Sequence, residues 1–555
     1  MTEKMSYTVG ESDPPVRDLT IGDALREAAA DAPDTIAIIE GVPDPANRRT
    51  WTYAQYFADA ETVARALLAR YEPGDHIAIW AQNIPEWILL EMGCALAGMV
   101  VVTVNPAYQA HELHYVLTQS KAAALFVVDE YRGNPMLATA REVQPNCPDL
   151  KEIVRIAEWE DFVGAAGSHE GDLPEVAPMD TELPEVAPMD TELPEVAPMD
   201  KVMIQYTSGT TGFPKGALLH HRGLVNNGAH FLNRMGIETG DTYLTIMPLF
   251  HTAGSVMSTL GSISKRATNV LVETFDPVLV LKLMEEYKSA GLMGVPTMLV
   301  AMMEAPTFET TDLSSLKGIC SGGSLVPEQM VKELENRLGA PFTIVFGQTE
   351  CSPVSSMTFP HDTLEDKATT IGPPMPNVEV KIVDPETGET LPVGETGEYC
   401  ARGYSIMHGY FDMPGQTAQT IDSEGWLHTG DLAAMDERGY CTVEGRLKDM
   451  IIRGGENIYP KELEELLFAH EAVGEVAVVG LPDDKWGEVV AAFVRPVPGH
   501  AVDKTNLFDF MRANLAPHKT PRHWFAVEDF PLTGSGKIQK FRLREQWQEG
   551  EWEEL

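Results

Sequence analysis

The chain lacks the cysteine spacing that disulfide frameworks and zinc sites require. Its 555 residues include six cysteines, and none of them forms a Cys-x-x-Cys pair. A disulfide-stapled secreted scaffold and a zinc ribbon are therefore not indicated. The cysteine pattern instead predicts a reducing, cytoplasmic environment.

Basic residues are also scarce. Lysine and arginine together number 41 against 83 acidic residues, which gives a formal net charge of -42. Repulsion by this charge disfavours nucleic acids and anionic membranes as partners. We expect small-molecule partners, with a homodimer left open as the assembly. A site for an anionic molecule would have to concentrate positive charge locally.

Long uncharged hydrophobic runs are missing as well. The strongest candidate, residues 87–104, contains Glu91 and is closely bounded by Pro85 and Pro106. This composition predicts a buried helix that runs into a strand, and no transmembrane segment is expected. The N-terminal residues have no apolar core of a signal peptide and too many acids for a transit peptide.

Helical and strand patterns alternate between residues 50 and 200. Val63 and Leu67 recur at helical spacing, while HIAIW (76–80) and ALFVV (124–128) are typical of buried strands. This alternation predicts an α/β fold with layered, mostly parallel sheets. The length and the 44% hydrophobic content allow one large core and a smaller satellite domain.

A ten-residue repeat interrupts this pattern. LPEVAPMD occurs three times within residues 171–200, with two prolines in each copy. So little apolar surface cannot build a solenoid layer, and the prolines break helices and sheet ladders. We interpret the repeat as an extended, solvated linker, and we expect deletion of residues 181–200 to be tolerated.

A second boundary is predicted near GRLKDM (445–450). Beyond it, Pro460 opens a helix that carries Leu463, Leu466 and Leu467 on one face, and strands follow at 476–479 and 489–494. We therefore predict a large N-terminal domain over residues 1–446, built from several subdomains. A small α+β domain would occupy residues 447–555.

The most informative segment is YTSGTTGFPKG at residues 206–216. It follows the apolar run VMIQ and precedes GALLHH, so a loop rich in glycine and hydroxyls lies between two predicted strands. Glycines let backbone N-H groups approach phosphate, hydroxyls donate, and Lys215 adds charge. The loop does not match the Walker pattern GxxxxGK[ST]. It predicts a polyphosphate site of another kind.

Several separated segments, together with this loop, resemble the adenylate-forming superfamily of acyl-CoA synthetases, peptide-synthetase adenylation domains and luciferases. They are TWTY near residue 50, NPAY at 105–108, SGGSLVPE at 321–328 and FGQTE at 346–350. The resemblance covers nearly the whole chain. It implies a mobile C-terminal domain, ATP and CoA as co-substrates, and Mg2+ as cofactor.

The resemblance also implies roles for individual residues. Phe346 would stack on adenine, Thr349 would contact phosphate, and the Glu350 carboxylate would hold Mg2+. Asp431, in TGD, would accept the ribose hydroxyls, and Arg446 would lie near ribose or phosphate. The implied ATP-binding set is Thr207, Ser208, Gly209, Thr210, Thr211, Gly212, Phe213, Pro214, Lys215, Gly322, Gly323, Ser324, Phe346, Gly347, Gln348, Thr349, Asp431, Arg446 and Lys537.

Catalysis and domain rotation are assigned in the same way. Lys537, in PLTGSGKIQK, would bridge the attacking carboxylate and the α-phosphate, with Thr349 and Glu350 completing the catalytic set. Lys448 matches the hinge position. Gly454 and Gly455 match the turn that lines the CoA tunnel, in a segment that most resembles medium-chain fatty acyl-CoA synthetases.

The acid is indicated by MPLFHTAGS at residues 247–255. His251 stands where peptide-synthetase adenylation domains usually carry an Asp that pairs with an α-ammonium group. A buried unpaired charge is costly, which disfavours amino acids as substrates, and His251 and Gly254 are assigned to the acyl pocket. The alternatives are an aryl or cyclic-acid CoA ligase, a fatty acyl-AMP ligase that loads a carrier protein, and a degenerate nucleotide-binding scaffold.

Overall fold

The computed structural model describes residues 4–164, 192–207, 214–322, 328–454, 456–483, 485–497, 499–532 and 538–555. Most of the repeat and part of the predicted site therefore lie outside the described residues. The site residues concerned are Ser208, Gly209, Thr210, Thr211, Gly212, Phe213, Gly323, Ser324, Gly455 and Lys537.

The strands fall into two groups along the chain. The first group is β1 (Tyr7–Val9), β2 (Ile36–Gly41), β3 (Thr50–Thr52), β4 (His76–Trp80), β5 (Val100–Val104), β6 (Ala124–Val127), β7 (Glu152–Arg155), β8 (Lys201–Thr207), β9 (Lys215–His220), β10 (Thr242–Thr245), β11 (Thr268–Val272), β12 (Gly291–Met293), β13 (Gly318–Gly322), β14 (Phe342–Gly347), β15 (Val354–Met357), β16 (Val378–Val383), β17 (Thr396–Gly403), β18 (Gly409–Tyr410), β19 (Leu427–Met435) and β20 (Cys441–Arg446). The second group is β21 (Ile451–Arg453), β22 (Glu456–Ile458), β23 (Val473–Asp483), β24 (Gly487–Pro496) and β25 (His523–Ala526).

The helices alternate with these strands. They are α1 (Ile21–Asp31), α2 (Tyr53–Leu68), α3 (Pro85–Leu96), α4 (Ala110–Gln119), α5 (Met136–Val143), α6 (Trp159–Gly164), α7 (His221–Arg234), α8 (Gly261–Ser264), α9 (Pro277–Glu286), α10 (Pro296–Met303), α11 (Glu328–Leu338), α12 (Leu364–Thr369), α13 (Pro414–Thr420), α14 (Pro460–Phe468), α15 (Lys504–Asn514) and α16 (Lys540–Gln548). A π-helix, Ala253–Leu260, precedes α8.

Two large sheets are mostly parallel. One has the order β15-β14-β13-β12-β10-β11-β2-β3, and only its edge strands β15 and β3 run antiparallel to their neighbours. The other has the order β18-β9-β8-β5-β4-β6-β7 and is parallel from β8 to β7. This arrangement confirms the α/β fold that the sequence predicts.

Two further sheets are mostly antiparallel. The first joins β1-β16-β17-β19-β20, and its last strand ends at Arg446. The second joins β22-β21-β24-β23, with β25 parallel to β24. Helix α14 begins at Pro460, as predicted, and buries Leu463 and Leu467 against this last sheet.

The apolar run at residues 87–104 forms most of helix α3 and all of β5, the middle strand of the seven-stranded sheet. Every residue of α3 is buried, and so is every residue of β5, which pairs with β4 and β8. The predicted transition from helix to strand is confirmed. Among the described residues, no helix is long and apolar enough to cross a membrane.

The last copy of the repeat, residues 193–200, has no helix, strand or buried residue, but it makes contacts that the prediction of a solvated linker did not include. Leu193 packs against the main core, and the backbone carbonyl of Pro198 accepts a 2.7 Å hydrogen bond from Arg222 N-H. The carbonyl of Met199 accepts a 2.8 Å hydrogen bond from His408 Nε2. One copy therefore has apolar and backbone contacts enough to dock ahead of β8.

Candidate active site

The glycine-rich loop is held at both ends by a β-hairpin. Strands β8 and β9 pair antiparallel with Thr207 opposite Lys215, and Thr207 Oγ1 donates to the Lys215 carbonyl at 3.3 Å. The Pro214 carbonyl accepts a 2.9 Å hydrogen bond from Tyr115. Although residues 208–213 lie outside the described part, the predicted strand-loop-strand arrangement around them is confirmed.

Lys215 meets Glu350 across an aromatic ring. The Lys215 ammonium lies 4.0 Å from the centroid of the Tyr410 ring, and the Tyr410 hydroxyl donates a 2.6 Å hydrogen bond to Glu350 Oε1. Burial lowers the pKa of Lys215, and the Glu350 carboxylate opposes this effect. Burial, with the charge of Glu350, raises the pKa of Tyr410. A half-buried cation, a buried phenol and a buried carboxylate thus form one cluster.

Glu350 has the chemistry that a Mg2+ ligand needs. Its side chain is largely buried, and its backbone carbonyl accepts a 3.0 Å hydrogen bond from Met407 N-H, so the residue is fixed at both ends. Carboxylate oxygen is the ligand type that Mg2+ prefers, and the ion usually takes only one or two protein carboxylates beside phosphate. The residues present therefore fit the implied ion.

The two predicted nucleotide segments lie at one edge of the eight-stranded sheet. Strands β13 and β14 are parallel neighbours, so Gly322 and Gly347 end at the same edge. A Cβ on Gly347 would lie 2.0 Å from the Pro353 carbonyl oxygen, so only glycine fits there. The half-buried ring of Phe346 meets Tyr399 edge-on, with 5.2 Å between centroids. Gln348 and the buried Thr349 follow directly.

Asp431 and Arg446 face each other on β19 and β20. They are register partners, and Arg446 Nε donates to Asp431 Oδ1 at 3.1 Å. Lys448 follows two residues later. Part of its side chain stays exposed, but surrounding protein desolvates the ammonium and Arg446 repels it, which lowers the pKa of Lys448 to about 8. Lys215 and Asp431 are both near enough to act on that pKa.

The structure therefore brings the separated motifs together. Cys351 is close enough to Glu350 and Asp431 for both carboxylates to raise the pKa of its thiol, after burial as the main cause. Lys448 is likewise close enough to both Lys215 and Asp431 for each of them to act on its pKa. In a chain of net charge -42, Lys215, Arg446 and Lys448 supply the local positive charge that an anionic ligand requires.

The acyl-pocket candidates lie at the start of the π-helix. His251 Nδ1 accepts a 3.1 Å hydrogen bond from Ala253 N-H, so this nitrogen carries no proton. A Cβ on Gly254 would lie 2.3 Å from the Pro248 carbonyl oxygen. On β8, the Gln205 amide donates to the Phe250 carbonyl, which ties this segment to the strand that leads into the glycine-rich loop.

The turn assigned to the CoA tunnel packs on a tryptophan. Gly454 has a φ of +62° and donates a 2.7 Å hydrogen bond to the Trp486 carbonyl. A Cβ on Gly454 would lie 2.8 Å from the Trp486 ring, which is 39% exposed. Arg453 and Lys485 lie over the same ring. An exposed aromatic face flanked by two cations suits a nucleotide with phosphates.

Sequence reasoning missed Tyr410 and Trp486 as members of the site. Tyr410 lies 60 residues after Glu350, and no spacing between them signals the hydrogen bond. Trp486 lies 32 residues after Gly454 in the segment GLPDDKWGE (480–488), and nothing in that spacing signals that its ring packs on Gly454. Both contacts depend on how separate elements pack, so a motif search alone could not find them.

Comparison with known proteins gives concordant matches along the chain. The family model described as AMP-binding enzyme matches residues 25–411, and the one described as AMP-binding enzyme C-terminal domain matches residues 462–537. YngI of Bacillus subtilis, provisionally named an acyl-CoA synthetase, is 42% identical over 95% of this chain and 96% of its own. The mitochondrial medium-chain acyl-CoA ligase ACSF2 of Rattus norvegicus is 36% identical over 98% and 90%.

Solved structures agree with these matches. ATP-bound MatB from Rhodopseudomonas palustris superposes with a TM-score of 0.81 at 28% identity, covering 96% of this chain and 99% of that one. The anthranilate CoA ligase AuaEII, in complex with anthranoyl-AMP, also gives 0.81, at 26% identity, over 96% and 98%. The similarity therefore extends over both the sheets before Arg446 and the sheet after it.

Proposed function

The chain belongs to the AMP-binding enzyme family and is an AMP-forming acyl-CoA synthetase, and from that premise we propose that its acid is a medium-chain fatty acid. The rat relative named as a medium-chain acyl-CoA ligase supports this choice, at 36% identity over 98% of the chain. The π-helix segment adds support, because its buried residues are apolar or carry hydroxyls and none is charged.

The observation that carries the site assignment is the cluster of Lys215, Tyr410 and Glu350 beside the Asp431–Arg446 pair. Lys215 contacts the β- and γ-phosphates, Asp431 accepts the ribose hydroxyls, and Arg446 lies between ribose and phosphate. Glu350 would hold Mg2+, which when bound neutralises phosphate charge. The Tyr410 hydroxyl keeps the Glu350 carboxylate in one orientation.

The proposed reaction has two steps at this site. In the first, the fatty carboxylate attacks the α-phosphorus of ATP in line, an acyl-phosphate bond forms, and pyrophosphate leaves. We assign Lys537 the role of stabilising the negative charge that accumulates between the attacking carboxylate and the α-phosphate. In the second, the CoA thiol attacks the acyl carbon, AMP leaves with the bonding electrons, and the thiol proton passes to solvent.

Domain rotation separates the two steps. We assign residues 1–446 to the large domain and residues 447–555 to the small one, with Lys448 as the hinge. Rotation withdraws Lys537 and brings Gly454 and Gly455 to the acyl-adenylate, so that pantetheine passes along their backbone. The exposed Trp486 ring, with Arg453 and Lys485 beside it, receives the nucleotide end of CoA.

The experiment compares the two half-reactions in Lys537→Ala. Acid-dependent pyrophosphate release should fall by about a thousand-fold, since a single group that stabilises transition-state charge contributes on that order. Thioester formation from supplied octanoyl-AMP should be nearly unchanged. Lys540→Ala, three residues away and paired with Glu464, is the control and should affect neither half-reaction. Equal losses in both half-reactions would contradict the assignment of Lys537 to the adenylation step.

A further inference from the structure

Strand β19 contains an irregularity at its TGD segment, where it passes β17. Glu398 pairs with Leu432 and Cys400 pairs with His428, so residues 429–431 of β19 bulge out opposite the single residue Tyr399. The Tyr399 carbonyl accepts a 2.6 Å hydrogen bond from Thr429 Oγ1. The same oxygen of Thr429 accepts a 3.1 Å hydrogen bond from Asp431 N-H. Because bulges re-aim side chains and backbone groups, this one sets the course of residues 429–431.

The Glu398 carboxylate makes a second attachment. Its Oε1 accepts a 3.0 Å hydrogen bond from Gly430 N-H, and its Oε2 accepts one of 2.7 Å from His428 Nδ1. Only 8% of Glu398 is exposed, so water competes little for these bonds. Gly430 has a φ of +71°, a conformation that few other residues adopt. One carboxylate thus holds the residues on both sides of Thr429.

His428 is surrounded mainly by acceptors. Glu398 and the Cys400 thiol face it from β17, with Cys400 Sγ at 3.5 Å, and Asp422 Oδ2 lies 3.6 Å from Nε2 on the loop before β19. Lys381, on β16, acts on Asp422 and Cys400 and is the nearby cation. The hydrogen bond to Glu398 raises the pKa of His428 above its ordinary value, against the effect of burial.

From this geometry we infer that Glu398 and His428 are positioning residues that hold the 429–431 segment, and with it Asp431, in place for the ribose of ATP. The inference rests on the proposed role of Asp431. Neutral His428 still donates from Nδ1, but a charge-assisted hydrogen bond is roughly twice as strong as a neutral one. Loss of the imidazolium proton therefore loosens the segment and weakens ATP binding.

A metal ion is the competing occupant of this cluster. Single ligand atoms of Glu398, Cys400 and His428 lie within 4.8 Å of one another. However, both Glu398 oxygens and His428 Nδ1 are already engaged in hydrogen bonds. Burial also raises the pKa of the Cys400 thiol, so the thiolate that a metal needs is disfavoured. Hydrogen bonds therefore account for both Glu398 oxygens and for His428 Nδ1 without an ion.

The test measures KM for ATP in Glu398→Gln and His428→Gln with octanoate and CoA saturating. We expect KM for ATP to rise about ten-fold in Glu398→Gln, because the amide offers one accepting oxygen to two donors and so loses one of the two hydrogen bonds, while KM for octanoate stays unchanged. The preference for ATP over 2′-deoxy-ATP should shrink, since a displaced Asp431 no longer senses the hydroxyls. Glu379→Gln, on neighbouring β16 where Glu379 bonds Arg402, is the matched control.

A pH profile distinguishes positioning from general damage to the fold. In the wild-type enzyme, KM for ATP should rise as His428 loses its proton, and this rise should be absent in His428→Gln. Asp422→Asn leaves Gly430 untouched and removes one carboxylate beside His428, so it should move the rise to lower pH. Identical profiles in all variants, or unchanged discrimination against 2′-deoxy-ATP, would contradict the inference.

Two further outcomes are decisive. If a chelator selective for zinc over magnesium raises KM for ATP as much as Glu398→Gln does, the cluster is a metal site and the inference fails. If the wild-type enzyme shows no acid-dependent pyrophosphate release, the proposed function fails instead, because that assay does not depend on the variants. If the wild-type enzyme is fully active and the variants show an unchanged KM for ATP, the proposed function stands and only the positioning role is contradicted.

Discussion

Tyr410 joins two charged side chains that belong to different motifs. Its ring receives the Lys215 ammonium and its hydroxyl donates to Glu350, with only 6% of the residue exposed. Lys215 and Glu350 are assigned from their own segments, but their mutual orientation depends on this third residue. A tyrosine can serve both neighbours because it offers a π-face and a hydrogen-bond donor on one rigid ring.

Replacing Tyr410 by Phe should therefore weaken the handling of MgATP. The ring stays, so Lys215 keeps its contact, but Glu350 loses a buried hydrogen bond of the strong, charged type. We expect kcat/KM for ATP to fall about ten-fold, equivalent to ~1.4 kcal/mol, and the Mg2+ concentration for half-maximal rate to rise.

Tyr404→Phe is the matched control for this change. Tyr404 is buried nearby, and its hydroxyl lies 3.0 Å from His230 Nδ1, away from Glu350. Its loss should lower the melting temperature without changing the Mg2+ requirement. An unchanged Mg2+ requirement in Tyr410→Phe would show that Tyr410 does not orient Glu350.

The π-helix Ala253–Leu260 is maintained by side chains as well as by its backbone. Ser258 Oγ donates to the Ala253 carbonyl at 2.8 Å, and Thr259 Oγ1 donates to the Gly254 carbonyl at 3.0 Å. Both bonds span five residues, which is the spacing of a π-helix. The widened turn lies directly after His251, so its shape sets where the assigned acyl-pocket residues stand.

Ser258→Ala should therefore alter acid selection while sparing nucleotide binding. Without the hydroxyl, the turn can relax toward α-helical spacing and shift Gly254, so we expect the kcat/KM ratio of octanoate to hexanoate to change several-fold. KM for ATP should stay constant. Ser264→Ala, which removes a similar bond to Gly261 in α8, is the control. An unaltered acid profile would separate the π-turn from the acyl pocket.

The repeat allows a test of whether the contacts of its last copy stabilise the fold. Its last copy docks through Leu193 and through the carbonyls of Pro198 and Met199. The three LPEVAPMD copies are identical, so removing residues 181–200 places the first copy directly ahead of Lys201.

We expect this deletion to cost less than about 1 kcal/mol in the free energy of unfolding and to preserve activity, because an equivalent segment remains to dock. Thermal melting and pyrophosphate release measure both effects. Deletion of residues 171–200, which removes all three copies, is the comparison and should lower the melting temperature clearly. Equal stability of the two deletions would mean that the docked contacts contribute nothing.

The sequence pattern predicted those parts of the fold in which residues adjacent in the chain determine the secondary structure. The step from α3 to β5 follows from an apolar run bounded by prolines, and the hairpin around the glycine-rich loop follows from its two flanking strands. Docking of the last repeat copy could not be predicted, since eight identical residues carry no information about which copy finds a partner. The bulge at residues 429–431 of β19 could not be predicted for a related reason, because it exists only through the pairing of β19 with β17.

At the scale of the whole molecule, the site concentrates positive charge in a protein whose net charge is strongly negative. Three cations, Lys215, Arg446 and Lys448, come together in a chain of net charge -42. Desolvation is the main cause of the lowered pKa of Lys448, and repulsion by Arg446 and Lys215 adds to it. The need for such a local concentration was predictable from composition. Composition alone could not show which cations meet, because they come from β9, β20 and the turn that follows β20; the family resemblance, by contrast, implied that Lys215 and Arg446 share one site.

Buried histidines make the whole fold sensitive to acid. Burial lowers the pKa of His220, His221 and His230 to about 4, from an ordinary value near 6.5. Between about pH 6.5 and about pH 4 these histidines are protonated in the unfolded chain but neutral in the native protein, so the free energy of unfolding falls as pH falls. Denaturant unfolding across this range should reveal a loss of several kcal/mol.

His230→Asn should flatten that dependence by removing one of the three protonation sites, whereas His500→Gln, at an exposed position, should leave the slope unchanged. Because the measurement compares slopes, a general loss of stability in His230→Asn does not affect it. A free energy of unfolding that stays constant from about pH 6.5 to about pH 4 would contradict the assignment of neutral buried histidines.

The most direct test of the account is a competition for one pool of CoA. The intact enzyme is incubated with ATP, Mg2+, CoA and equal concentrations of acetate, hexanoate, octanoate, decanoate, palmitate and benzoate, and the thioesters are identified by mass spectrometry. The account predicts octanoyl-CoA and its nearest homologues as the main products, with one AMP formed for each thioester. Benzoyl-CoA as the main product, or acyl-AMP that accumulates without any thioester, would contradict it.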